Sequence, residues 1–275
     1  MSFEQYFAAG VVLLYSLGTL GQFLGMLSHR PVIRVAANWL TLAGFALHTF
    51  LAGHTFASHD LEELSSAYFL QLLAWFIILV YLGAWMLLRL RVLAISAAPL
   101  ALVLCAISMR SSPEMNLPSD FSALFFTLHI SALFISGALM ALAFGAGVLF
   151  MYMNRKLKTK APINNYTFDL PSLNAFDAVN RYAVIIGFPL YTLGLMAGFI
   201  WAPLFFQAIE NPKVLLSLFV WALYALLFYE RLALGYRGRK TAVMVIIIFT
   251  ISALSLGIDY TVSHHSTLLS TPGHE

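Results

Sequence analysis

Residues 121–160 read FSALFFTLHISALFISGALMALAFGAGVLFMYMNRKLKTK. No Asp, Glu, Lys or Arg interrupts residues 121–153, and then Arg155, Lys156, Lys158 and Lys160 follow within six positions. A bilayer core of about 30 Å takes roughly 20 apolar residues at 1.5 Å each, so this run exceeds one crossing. Its outer end is therefore expected to protrude, which sets His129 near the outer interface. The same alternation, a long apolar run and then a short polar one, extends along the chain in both directions. Eight spans are expected, at about 6–28, 35–55, 67–88, 91–110, 121–153, 178–207, 213–233 and 241–262.

Thirteen of the fifteen cations fall in every second polar segment. These are Arg30 and Arg34; Arg89 and Arg91, in a very tight turn; Arg155, Lys156, Lys158, Lys160 and Arg181; and Arg231, Arg237, Arg239 and Lys240. Only Arg110 and Lys213 lie in the others. Cations beside membrane-spanning helices stay on the cytoplasmic side. The expected fold is thus an all-α polytopic integral membrane protein of the inner or plasma membrane, with eight transmembrane helices and both termini outside. Hydrophobic residues make up 61% of the chain and charged residues 10%, against about 25% charged in a soluble domain. The net charge of +3 follows from the topology, so lipid, not nucleic acid, is the partner it implies. The N-terminus has no cationic n-region and reads as a first helix. A single membrane domain over 1–275 is expected, with no low-complexity tract.

The single cysteine, Cys105, excludes an intramolecular disulfide and a Cys-x-x-Cys-His haem attachment site. The histidines oppose the cations. His48, His54, His59, His129, His264, His265 and His274 fall on or toward the outer side, and only His29 sits with the cations. Neutral imidazole ligates haem iron, zinc and copper. His129 early in helix five and the His264-His265 pair just past helix eight can meet across a shallow outer site, as two axial ligands of one haem. Composition alone equally allows an interfacial polar residue and a solvated tail. His48 lies inside helix two, where an ionisable residue is either functional or a hydrogen-bonded packing residue. His54 and His59, near Asp60, Glu62 and Glu63, match no stringent metal spacing. A membrane di-haem cytochrome would need paired histidines at two depths, and only His48 is well inside a span. Small residues at four-residue spacing, Gly21 and Gly25, Gly137, Ala141 and Gly145, Gly194 and Gly198, mark close helix approaches. Asp169 and Pro171 look like a helix start. No Walker, Gly-rich phosphate or Ser/His/Asp arrangement stands out.

From about residue 125 to 270 the chain resembles the cytochrome c assembly proteins, integral membrane proteins that handle haem during c-type cytochrome maturation. The resemblance rests on Leu170-Pro171-Ser172-Leu173, Asn180-Arg181-Tyr182, Gly187-Phe188-Pro189-Leu190, Thr192-Leu193-Gly194, Gly198 and Trp201-Ala202. It continues through Asn211-Pro212-Lys213, Trp221, Tyr224-Ala225, Arg231 and Gly235-Tyr236-Arg237-Gly238-Arg239. Leu128-His129 and His265-Ser266 are similar to the family's Leu-His and His-Ser. The resemblance implies haem iron held by His129 and His265 on either side of an aromatic loop. That loop is a run of tryptophans in the family. Here it keeps Trp201, with Phe205 and Phe206 as the nearest aromatic replacements, and Tyr229 stands where many members carry a histidine. These departures, and Leu47-His48-Thr49, are closer to the HemX-type branch, which is linked to regulation of tetrapyrrole synthesis.

The function so implied is haem handling in support of cytochrome c maturation, by a binding and presenting module and not an enzyme. Its cofactor is haem. Its partner is a membrane protein of cytochrome c maturation or the apocytochrome, whose reduced cysteines this chain does not supply. The alternatives are a HemX-type regulator that contacts a tetrapyrrole-synthesis enzyme through residues 155–181 and the Gly235–Lys240 turn, and a transporter.

Overall fold

The computed structural model describes residues 3–28, 30–59, 65–109, 123–159, 171–201 and 212–270. Eight α-helices carry these residues: α1 (Phe3–Leu27), α2 (Pro31–Ser58), α3 (Ser66–Leu88), α4 (Ala94–Ser108), α5 (Ala123–Lys158), α6 (Leu173–Trp201), α7 (Pro212–Leu232) and α8 (Arg239–Ser270). No strand occurs among the described residues. α1, α2, α3, α5, α6 and α7, and α4 taken together with the turn before it (Arg91–Ser108), are each long and apolar enough to cross a membrane. The chain is a multi-pass, all-α membrane protein.

Local chemistry sets the helix ends. Pro31 opens α2, where its missing N–H costs nothing. The Ser65 side chain caps α3 by accepting from the Tyr68 N–H at 3.4 Å. Arg89 ends α3 in the left-handed conformation, φ 58°, and one 3₁₀ turn at Arg91–Leu93 leads into α4. This is the tight turn expected at Arg89–Arg91. α6 starts at Leu173, where the Ser172 Oγ accepts from the Ala175 N–H at 3.3 Å, so the cap is Ser172. Asp169, expected to open this helix, lies outside the described residues. α8 runs to Ser270, eight residues past its expected end at 262. Residues 264 and 265 therefore stand on the helix and not beyond it.

The longest helix, α5 (36 residues), forms the centre. One buried cluster joins its Ala138, Leu142 and Phe150 to Tyr15 of α1, Ile78 and Tyr81 of α3, and Ala97 and Ala101 of α4. A second joins its Met140 and Ala143 to Val184 of α6, Tyr224 and Leu227 of α7 and Val245 of α8. Lipid tails are as apolar as leucine, so such helices associate through close packing and hydrogen bonds instead of water exclusion. The buried polar groups serve that end. Gln22 Nε2 donates to Asn38 Oδ1 at 2.6 Å, and the Tyr81 hydroxyl donates to the same oxygen at 3.3 Å, which links α1, α2 and α3. Ser136 Oγ donates to the Gly187 carbonyl at 2.8 Å, and the Tyr224 hydroxyl donates to the Ala183 carbonyl at 2.9 Å, which link α5, α6 and α7.

The cation-bearing turns gather at one end of this bundle. Leu90 and Leu93 share a buried cluster with Leu149, Phe150 and Phe176. At the same end Arg231 of α7 clamps Asp177 of α6 with two bonds, 2.9 and 2.7 Å. The Gly238 N–H reaches the same carboxylate at 2.9 Å, with Gly238 at φ +72°, a conformation that favours glycine.

Candidate functional site

His129 stands in the second turn of α5, at the end of the bundle away from the cations. Its ring lies in the seam between α5 and α6. Nδ1 sits 2.7 Å from the Gly194 carbonyl oxygen. A carbonyl only accepts, so Nδ1 carries the proton and Nε2 carries the lone pair. This is how proteins orient a metal-ligating imidazole: the second nitrogen donates to a carbonyl or carboxylate, which fixes ring and tautomer. The seam is built for the ring. A Cβ added at Gly198 would lie 2.7 Å from His129 Nδ1, and one at Gly194 would lie 2.7 Å from Leu133 Cδ2. Of the glycine pair expected to mark close packing, Gly198 therefore makes room for the histidine and Gly194 for Leu133. Below it, the Trp221 indole donates to Thr192 Oγ1 at 3.0 Å, and Phe188 packs edge-on against Tyr224. These contacts hold α7 to the same α6.

The histidine pair on α8 is brought to the same level by helix register. α5 and α8 run antiparallel: Gly147 faces Ala242 and Ile246, and the Phe144 and Phe249 rings meet at 4.6 Å. Fifteen residues further along each helix lie His129 and His264. With equal rise per residue, the two positions stand at one height. The side chains of His264, His265 and Trp201 are outside the described part, and Phe205, Phe206, His29 and His274 lie outside the described residues altogether.

The structure does not bring His48 to this site. It is fully buried within the first four helices, where Tyr15 Oη lies 3.2 Å from its Nδ1. A hydroxyl both donates and accepts, so this contact leaves the tautomer open. The gap beside the ring is bordered by Ala8, Val11, Gln71 and Cys105 and is too tight for a water-sized sphere. His54 lies 3.8 Å from Glu4, and His59 Nδ1 lies 3.2 Å from the Thr55 carbonyl. Asp60, Glu62 and Glu63 lie outside the described residues. Among the described residues no group of three or more His, Cys, Asp or Glu forms a metal cluster. Tyr229 is exposed on the outer surface of α7.

Asp177 escaped the sequence reading. Its one signal is an acid among cations: in the described residues of that end only Asp177 and Glu230 are acidic. Glu230 takes Lys240 at 3.2 Å, and Asp177 takes Arg231, whose guanidinium is buried. Together with the Gly238 N–H on Asp177, these pairs tie the turn that leads into α8 to α6 and α7.

Comparisons with known proteins show the family. The family described as cytochrome C assembly protein matches residues 59–263. The cytochrome c biogenesis protein CcsA of Chlamydomonas reinhardtii is 27% identical over 193 residues, 66% of this chain and 53% of that protein. Protein HemX of Bacillus subtilis (strain 168) is 26% identical over 239 residues, 85% of this chain and 86% of HemX. CcsA of Prochlorococcus marinus (strain MIT 9301) is 25% identical over 238 residues, 78% of this chain and 75% of that protein. The chain thus spans about half the length of the Chlamydomonas relative and most of HemX. No solved structure matches it. The family match takes in α3 to α7 with His129, Trp201 and Tyr229, begins after His48 and stops one residue short of His264, and on its extent the chain belongs to the cytochrome C assembly protein family.

Proposed function

We propose that this protein binds haem at its histidine-bearing end and presents it for c-type cytochrome maturation. The observation that supports this most directly is the pinned imidazole of His129. Its Nδ1 proton is committed to the Gly194 carbonyl, so the lone pair that would ligate iron is on Nε2. His265, or its neighbour His264, would supply a second ligand from α8. Trp201, Phe205 and Phe206 would cover the ring. Haem held in this way supplies a bis-histidine iron centre. The chain's own residues orient the imidazole, hold its tautomer and bring two helices to one height. They form a binding and presenting module, not a catalyst. The cation-bearing end would face the cytoplasm and both termini the outside. The apocytochrome, with its reduced cysteines, and a membrane protein of the same assembly would be its partners.

A second reading has an observation of its own. HemX matches over most of both chains, whereas the Chlamydomonas CcsA extends well beyond this one. Under it, the cations of residues 155–181 and the Gly235–Lys240 turn contact a tetrapyrrole-synthesis enzyme.

Deleting the gene separates the two. Loss of holo-cytochromes c with unchanged tetrapyrrole enzymes is the expected result. Normal cytochromes c with altered levels of an early tetrapyrrole enzyme would replace haem presentation with regulation.

A further inference from the structure

The cation-bearing end holds a cavity of about 470 Å³ between the last turns of α5, the start of α6 and the turn into α8. Its charges do not balance. Asp177 is consumed by Arg231 and the Gly238 N–H, so that acid and that cation cancel. Lys240 is paired with Glu230 and lies 3.8 Å over the Tyr236 ring. Arg181 and Arg237 also line the cavity and are exposed. Arg237 acts on Asp177 through space, yet that one acid already pairs with Arg231, so among the described residues the site carries three cations, Arg181, Arg231 and Arg237, to one acid. Its floor is apolar, made by Phe150, Leu173 and Ala178. Toward the same end of the bundle, Leu157, Tyr182, Leu232 and Leu234 are exposed apolar side chains.

From these features we propose that this cavity is a binding site for the headgroup of an anionic phospholipid. The phosphodiester sits between the Arg181 and Arg237 guanidiniums, whose planar forks match phosphate oxygens. The glycerol and first methylenes cover the apolar floor. Basic pockets between transmembrane helices take anionic headgroups in this way. A free phosphate satisfies the arginines and leaves the floor wet, so the lipid is the better fit. The occupied site ties α5, α6 and the turn into α8 together through a molecule of the membrane.

Native mass spectrometry of the detergent-purified full chain, titrated with phosphatidylglycerol, tests this. Arg181→Gln and Arg237→Gln are each expected to weaken binding about five-fold, and the double variant about thirty-fold. Lys240→Gln, which removes an already paired cation, is expected to stay within about two-fold of wild type. Phosphatidylcholine binds weakly in all of them, and millimolar inorganic phosphate fails to displace phosphatidylglycerol. Undiminished phosphatidylglycerol on the double variant would overturn the site. Displacement by inorganic phosphate would overturn the lipid as its occupant. Thermal unfolding of the lipid-free double variant should match wild type; if it does not, the single variants decide.

Discussion

His48 and His129 both sit on transmembrane helices of this protein and are held in opposite ways. His48 is sealed among the first four helices against the Tyr15 hydroxyl, a contact that does not choose which ring nitrogen holds the proton. His129 is half-buried at a helix seam, against a carbonyl that does choose. Burial alone therefore says little about whether an imidazole serves a ligand. What matters is whether its partner fixes the tautomer, and whether the backbone beside it is cleared. Gly198 clears it for His129, while side chains crowd His48 on every side.

Four substitutions would break or sharpen this contrast. The largest effect is expected at Arg231, far from both histidines, because it anchors the α6 that carries Gly194 and Gly198. Arg231→Gln leaves the half-buried Asp177 unpaired and should cost about 3 kcal/mol in detergent unfolding. A loss below about 1 kcal/mol would show that α6 does not depend on this clamp. Next comes Gly198→Val. Its Cβ would enter the space of the His129 ring, so about 1–3 kcal/mol of stability and most haem occupancy should go together. Haem retained at the wild-type level would mean that the seam does not position the ligand. His48→Ala should do the reverse: about 2 kcal/mol lost to a cavity, with haem occupancy unchanged. A haem loss there would put His48 back in the site. The smallest effect is expected at Trp201→Ala. One aromatic contact is worth about 0.5–1.5 kcal/mol, so haem affinity measured by titration should fall about two- to ten-fold.

Much of this architecture was legible in the chain, and the reason is lipid. Residues 121–153 cannot be anything but a span when no charge interrupts them, and the tight turn at Arg89–Arg91 follows from two apolar runs that nearly touch. Helix ends were less legible. Hydropathy fades where polar residues begin, yet α8 continues through Asp259, Ser263 and the histidine pair because backbone hydrogen bonding does not need apolar side chains. Asp169 and Ser172 are both good caps, and propensity does not choose between them. The Gln22–Asn38–Tyr81 network and the Asp177–Arg231 pair join residues 16 to 54 positions apart, which no local pattern encodes. His129 is marked in the sequence by its place near a helix start and by the Leu128-His129 resemblance. The tautomer that would suit it as a ligand depends on a carbonyl 65 residues away.

The most direct measurement is the haem spectrum, reduced minus oxidised, of purified His129→Gly with and without added imidazole. Removing the ring should abolish most of the bound haem, and free imidazole entering the vacated seam should restore it. Full haem occupancy in His129→Gly, or a loss that imidazole does not reverse, would contradict ligation by His129.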